Sequence, residues 1–548
     1  MPAAIDALFV SYFEDLDRHH NDGLAAALPP DPVQARVFAS DPAVESDLSL
    51  PARHARQSVG IDGHSYDFRR WLSWVRYGST AEYRRFCAFT PNHLSGSYYR
   101  SLLAQRGHAV QHVNCADRLV LEDCARRFDP RVVLLSTTFL NETPIVRAAI
   151  EACRRSFPGA LLVLGGLVLV EYERSMPRAR FLRLLAAWGA DAYVVSPEGE
   201  DAVLALLAAG GADLDGLELP HTYVRRGGAV VLSTERCGRS VPFEEGYVRW
   251  SLLDPDSLYH TVHTRTARSC AFSCAFCSYP ATQGPLVLAS PETVRAELEE
   301  LQRVGSVRSL IFTDDTFNVP PPRFKALCRV LADFDFEWYS FFRAQYADRE
   351  LTDLMRASGC RGVFLGIESI DDVVLKNMHK SATHASYRRG VAALKQAGIL
   401  LHANFIVGYP GDTEENCRRT VDFVDEFDVE FFTASPFYCS PGTPVWERRA
   451  EFGIEGQYQG WRHATMDFPR ADRLTRDMLG AARRSVFMSE LTANGFWTQL
   501  LFYANGFDAE ELRALTRAYN RFLGTDRPAA ALRATPEVRE AERILARR

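Results

Sequence analysis

Two series of short apolar strands alternating with helices run along this chain, and that alternation restricts it to α/β domains built on parallel sheets. In the first series, Asp6 to Val10, His108 to Asn114, Val132 to Ser136, Ala160 to Leu164 and Asp191 to Val195 read as strands. Ser95 to Arg106, Pro144 to Phe157 and Phe181 to Trp188 have helical spacing. This predicts a doubly wound, Rossmann-like domain over residues 1–240, with its ligand crevice beyond the strand C-termini. The second series places strands at Tyr259 to Thr266, Leu310 to Thr313, Glu337 to Arg343, Gly362 to Ile367, Leu401 to Val407 and Phe431 to Pro436. Six such units suit a partial (β/α)6 barrel over residues 241–460, whose chemistry belongs at the C-terminal strand ends.

Three segments fit neither series. Residues 24–93 form a long insertion, and its Trp- and Arg-rich stretch from Arg69 to Tyr77 predicts a helix packed on the first sheet, or else a cap over a ligand. From Arg225 to Glu245 the pattern loosens around Gly227, Gly228, Gly238 and Pro242, which reads as a connector. Residues 461–548 read as a helical, polar C-terminal region.

The charge balance narrows the choice of partner and place. A net charge of −6 argues against nucleic acid. The longest apolar run, Ala160 to Val170, is broken by Gly165 and Gly166 and falls short of the ~18–20 residues of a membrane span. Met1 to Val10 lacks the basic-then-apolar pattern of a secretory signal. With no export signal, the 12 cysteines argue for a reducing, cytoplasmic compartment.

Most of those cysteines are scattered singly, as small buried hydrophobes are. Cys270, Cys274 and Cys277 are not: they are spaced Cys-x3-Cys-x2-Cys just past the first strand of the second series. Thiolates suit iron–sulfur clusters, and three ligands leave one iron of a four-iron cluster open to a substrate. A zinc site lacking its fourth ligand is the alternative.

The spacing, with Phe276 just before the last cysteine, resembles the radical S-adenosylmethionine (SAM) superfamily. The resemblance implies a [4Fe-4S] cluster on Cys270, Cys274 and Cys277, chelation of SAM by the open iron, and cleavage of SAM to a 5′-deoxyadenosyl radical. It extends over about residues 255–450, through motifs at successive strand ends. Asp314 and Asp315, in Thr313-Asp314-Asp315-Thr316, stand where relatives bind the SAM amino group. Arg343 could pair with the SAM carboxylate. Glu368 and Ser369, in Gly366-Ile367-Glu368-Ser369, stand where a Glu binds ribose hydroxyls. Gly408 and Gly411 belong to a Gly-x-Pro-Gly-Glu-Thr-like turn in which Asp412 replaces Glu.

A doubly wound domain directly before such a barrel resembles the cobalamin-binding (class B) radical SAM subgroup. Ser136, Thr137 and Thr138 follow the third strand, where hydroxyl residues meet the nucleotide tail. Gly165 and Gly166 follow the fourth, where absent side chains admit a large planar ligand. Glu198 and Gly199, in Ser196-Pro197-Glu198-Gly199-Glu200, resemble a Glu-Gly element of the subgroup. Asp17 to Gly23 nearly matches the Asp-x-His-x-x-Gly cobalt-ligating motif, but its Gly falls one residue late; His19 or His20 would be the ligand.

These resemblances imply a methyltransferase that uses SAM twice, once to methylate cobalamin and once to generate the radical that activates an unreactive centre. An electron donor such as flavodoxin or ferredoxin and a small-molecule natural-product substrate are the implied partners. The run Thr264 to Cys270, the continuation Cys277-Ser278-Tyr279-Pro280 and the chain length resemble the P-methyltransferases of phosphinothricin-type antibiotic biosynthesis, which convert P–H to P–CH3. Methylation of an sp3 carbon, or cyclisation without methyl transfer, are the other outcomes such a pair of cofactors allows. Cys439, after the sixth strand, reads as structural. Clustered arginines in the pocket would favour a phosphinate; an apolar lining would favour carbon.

Overall fold

A computed structural model describes residues 2–13, 56–87, 91–140, 143–210, 214–489 and 495–547. The His19–His20 motif and residues 24–55 of the insertion lie outside them. The first sheet contains β1 (Ala3–Val10), β2 (Val110–Val113), β3 (Phe128–Ser136), β4 (Leu161–Gly165), β5 (Ala192–Val194), β6 (Thr222–Arg226) and β7 (Ala229–Leu232). Their spatial order is β2-β1-β3-β4-β5-β6-β7, the first five parallel and the last two antiparallel. The parallel order 2-1-3-4-5 puts a topological switch point between β1 and β3, where α/β sheets open a crevice for ligands.

Where a connector was expected, β6 and β7 form a hairpin. Its two-residue turn is Gly227-Gly228, with φ of 54° and 82°, the left-handed pair that a tight hairpin requires. Glycines between two β-branched runs were the signal of a turn inside a sheet, not of a break between domains.

The second sheet is wholly parallel, in sequence order: β8 (Thr261–Thr264), β9 (Ser309–Phe312), β10 (Glu337–Phe342), β11 (Cys360–Glu368), β12 (Leu400–Val407), β13 (Phe431–Pro436) and β14 (Val486–Phe487). Six strands were expected. The seventh comes from the C-terminal region and pairs with β13 through only two residues. That region is also less polar than its sequence suggested. Its helix Gly495–Ala504 buries Phe496, Leu500 and Leu501, and Phe496 and Leu500 pack on Ile311 of β9 and Tyr339 of β10. His402 of β12 donates from Nδ1 to Gln499 Oε1 at 2.9 Å. This helix therefore fills the barrel between its strands.

The described part of the insertion does not pack on the first sheet. Its helix Phe68–Tyr77 buries Phe68, Trp71, Leu72 and Trp74 against Phe502, Leu512, Leu515 and Tyr519 of the C-terminal region. A short strand, Val59–Ile61, pairs in parallel with Asp526–Arg527. Two segments distant in sequence thus make a third unit with its own apolar core.

The two sheets are held together by shared core. Tyr98 and Leu102, on the helix Leu94–Gln105, belong to the barrel's apolar cluster. Asn92 bridges to Val262 of β8, and its side chain accepts from Tyr259 N at 2.7 Å. Nearby, Glu297 is buried with Oε1 accepting from Trp250 Nε1 (3.0 Å) and Thr264 Oγ1 (2.8 Å). Burial pushes its carboxyl up to about 7. A carboxyl raised in the folded state gives its stability below the unfolded value, and loses it as pH climbs towards 7. Glu297→Gln keeps the acceptor without the charge. It should raise the thermal unfolding midpoint at pH 8 by an amount worth about 1–3 kcal/mol and change little at pH 4.5, as read by calorimetry at the two pH values.

Candidate active site

The three cysteines lie in the loop after β8. That loop is fixed from several sides. Ala267–Arg268 pairs with Val287–Leu288, Ser269 donates from Oγ to Gly284 O at 2.6 Å, and Ala275 N donates to Met378 O while its carbonyl accepts from Val445 N. Cys270 Sγ lies 3.6 Å from Thr316 Oγ1, and Cys277 N donates to Cys274 O. All 12 cysteines are free thiols. Among the described residues, no three His, Cys, Asp or Glu side chains close round a single ion.

Arg343, directly after β10, is buried and points at this loop. Its Nη2 donates to Cys274 Sγ at 2.9 Å and its Nη1 to Lys380 O at 2.8 Å, with the guanidinium 3.4 Å from the Phe272 ring centre. The side chain expected to meet the SAM carboxylate is thus set against a cysteine. The adjacent aspartates divide. Asp314 turns inward, and its two oxygens accept from Thr266 N and Oγ1 at 2.9–3.0 Å. Asp315 lines a cavity and accepts from the Tyr279 hydroxyl; burial pushes its carboxyl up to about 7. An ammonium arriving beside it would return it to carboxylate.

Glu368 ends β11 at a bulge with φ of 65°, a strained conformation for a residue bearing a Cβ. It is held by Lys380 Nζ (3.0 Å) and Asn404 Nδ2 (3.1 Å), and Lys380 lies 5.4 Å from the Phe276 ring centre. Ser369 Oγ accepts from Asp371 N. Asp412 shapes the turn after β12 by accepting from Gly408 N and Thr413 N. Gly408 has φ of 84°, and a Cβ there would stand 2.7 Å from the Trp461 ring. Gly411 has φ of 96°, beside Asn377, which donates to Pro410 O.

At the first sheet, the residues after β3, β4 and β5 meet. Thr137 N and Oγ1 donate to Gly165 O, and Ser136 Oγ donates to Thr138 Oγ1. A Cβ on Gly166 would lie 2.9 Å from Thr137 Oγ1 and Thr138 N; on Gly199 it would lie 3.1 Å from Tyr99 Oη. Glu198 is pushed up to about 7 by burial and by Glu200, while Arg268 Nε stands 3.8 Å away. Ser136, Thr138, Gly165, Gly166, Glu198 and Gly199 all open on one cavity of about 440 Å³, with Phe9, Tyr99, Val163 and Val194 in its apolar arm. Thr137 is outside it.

The cavity does not end at the sheet. Its far wall is the barrel mouth: His263, Arg265, Tyr279, Thr313, Asp315 and Phe341, with Trp497 from the C-terminal region. His263 lies within β8, and Arg265 follows directly after the strand's end. Trp497 had no local signal. Of the described residues of the insertion, only His93 reaches the cavity. Cys439 does not; it is buried, bridged to Tyr458 and pushed up to about 12.

Residues 264–424 match the radical SAM superfamily. The chain is 27% identical over 265 residues to an uncharacterized methyltransferase of Pyrococcus horikoshii, covering 46% of this chain and 56% of that one. It is 29% identical over 190 residues to the bacteriochlorophyllide d C-12(1)-methyltransferase of Chlorobaculum tepidum, covering 33% and 41%. The chain thus spans about half the length of the curated relatives it matches. Its fold is shared with the radical SAM methyltransferase TsrM of Kitasatospora setae, solved with cobalamin and a [4Fe-4S] cluster bound: TM-score 0.51 at 21% identity, over 66% of this chain and 72% of that one. Residues 264–424 are accordingly a radical SAM domain. The doubly wound sheet in front of it completes the fold shared with TsrM. Among the described residues, no helix is long and apolar enough to cross a membrane.

Proposed function

We propose that this protein is a cobalamin-dependent radical SAM methyltransferase that methylates an unactivated centre of a small natural product. The observation that carries this reading is the single cavity walled by both the switch point of the first sheet and the mouth of the barrel. A [4Fe-4S] cluster on the cysteine loop, whose three thiols lie beyond the lining of this cavity, would with SAM supply a hydrogen-abstracting radical, and cobalamin bound in the cavity a transferable methyl group.

The chain's own residues do the rest. Cys270, Cys274 and Cys277 hold the cluster, with Arg343 donating to the Cys274 sulfur. Asp315 receives the SAM ammonium, and the Lys380–Glu368–Asn404 array presents a carboxylate to ribose hydroxyls. Phe276 packs at the edge of Tyr409 and walls this side. The hydroxyls of Ser136 and Thr138, with Gly165, Gly166 and Gly199, accept the nucleotide tail of cobalamin between β3, β4 and β5. Excluding water from the space between protects a radical from quenching.

The specific acceptor follows from the sequence resemblance at Thr264–Cys270: the phosphorus of a P–H phosphinate. A second reading, an sp3 carbon, is favoured by the cavity itself, where Arg265 is the only arginine among the described lining residues and most of the rest are apolar or aromatic. Incubation with CD3-labelled SAM and an N-acetylated P–H phosphinate amino acid, followed by phosphorus NMR, tests the first. A P–CD3 resonance is the expected result; an unchanged P–H doublet, with enzyme that consumes SAM, would reject phosphorus.

A further inference from the structure

His263, on the edge strand of the barrel, is only 4% exposed, and its Nε2 is buried without a hydrogen-bond partner. A buried polar atom left unpaired is costly, and such a group in a binding cavity points to a ligand that satisfies it. The ring lines the cavity and stands 5.2 Å from the Trp497 ring and 5.4 Å from that of His93. Trp497 in turn meets Phe341 at 5.8 Å and Phe139 at 6.5 Å. Burial holds the imidazole well below its usual range, so it is neutral and offers one hydrogen bond, not a charge.

The place of this group within the cavity matters. It lies at the barrel end, across from the Ser136–Gly166–Glu198 wall, and its floor is the helix that fills the barrel. Nothing in the cofactor assignments above uses His263 or Trp497.

We propose that His263 and Trp497 form the seat of the methyl acceptor. The acceptor is a small amphipathic molecule: its apolar or planar body lies on the Trp497 indole, walled by Phe139 and Phe341, and an oxygen or nitrogen beside that body bonds to His263 Nε2. This deepens the methyltransferase reading and rests on it for the identity of the occupant. It also makes the C-terminal region, which has no legible motif, part of the specificity of the site.

The test is fluorine NMR of the full chain labelled with 5-fluorotryptophan, its cluster reconstituted and hydroxocobalamin bound. Trp497→Phe assigns the Trp497 resonance. Two probes are titrated separately, an N-acetylated P–H phosphinate amino acid and tryptophan, which share the amphipathic chemistry but differ in the reacting atom. The expected result is that one probe shifts the Trp497 resonance while those of the fully buried Trp250 and Trp338 stay fixed. His263→Phe should weaken that titration roughly three- to tenfold, and raise KM more than it lowers kcat. His263→Gln, which keeps a hydrogen-bonding group, should recover part of the loss. A Trp497 resonance that moves with cobalamin and no further with either probe overturns the proposal, as does a His263→Phe protein that titrates like wild type. A wild-type protein that binds a probe at Trp497 yet forms no methylated product fails as a methyltransferase and leaves the seat standing. One that methylates while Trp497 is silent does the reverse.

Discussion

Cys274→Ala yields a folded protein that no longer holds its iron–sulfur cluster, and SAM cleavage falls to background with it. The effect is large because two losses coincide. One of three thiolates disappears, which leaves a second iron without a protein ligand. Arg343 Nη2, 2.9 Å from that sulfur and buried, is left with an unanswered charge-assisted bond, worth about 1–3 kcal/mol of stability. Iron and sulfide analysis after anaerobic reconstitution, with the visible absorption of the cluster, measures the first loss; thermal unfolding measures the second. Cys439→Ala is the control. That thiol lies away from the cavity, so the variant should keep its cluster and its methyl transfer. Methylation abolished in it with normal SAM cleavage would make Cys439 a participant.

Gly166→Val should remove cobalamin while sparing the cluster. Gly166 has φ of 129° and ψ of 170°, in a region open only to glycine. The new Cβ would meet Thr137 Oγ1 and Thr138 N at 2.9 Å, and Thr138 N is backbone that cannot swing aside. Straightening that segment moves the Ser136–Thr138 wall into the crevice beyond β3 and β4. The strain is on the order of 2–4 kcal/mol. Cobalt content of protein reconstituted with hydroxocobalamin should drop to near zero, while iron content stays at the wild-type level because Cys270, Cys274 and Cys277 sit on the other domain. Retention of cobalt at wild-type stoichiometry would place the corrin elsewhere.

Much of this was readable from local patterns. β13 falls on Phe431–Pro436 as the apolar run indicated, and the cysteine loop follows β8, as the family resemblance implied. The misreadings have physical causes. Gly227-Gly228 was taken as a break because glycine marks hairpins and linkers alike, and only the flanking Tyr223–Val224 and Val230–Val231 pairs tell them apart. β14 is two residues long and has no period of its own. The division of labour between Asp314 and Asp315 is set by the turn after β9, where strand alternation has stopped. Trp497 reaches the cavity through packing between segments more than 150 residues apart, Phe341 and Trp497 among them, and no window of sequence contains that. The Trp- and Arg-rich helix Phe68–Tyr77 read as packing on the first sheet, but a helix's composition does not name what it covers.

The most direct test of the two-cofactor reading is to count what SAM becomes. Protein with a reconstituted cluster and bound hydroxocobalamin, given SAM, acceptor and a strong one-electron reductant without oxygen, should form S-adenosylhomocysteine and 5′-deoxyadenosine together, one of each for every methylated product. 5′-Deoxyadenosine alone, from protein shown to hold both cofactors, would mean radical chemistry without methyl transfer and would contradict the function proposed here.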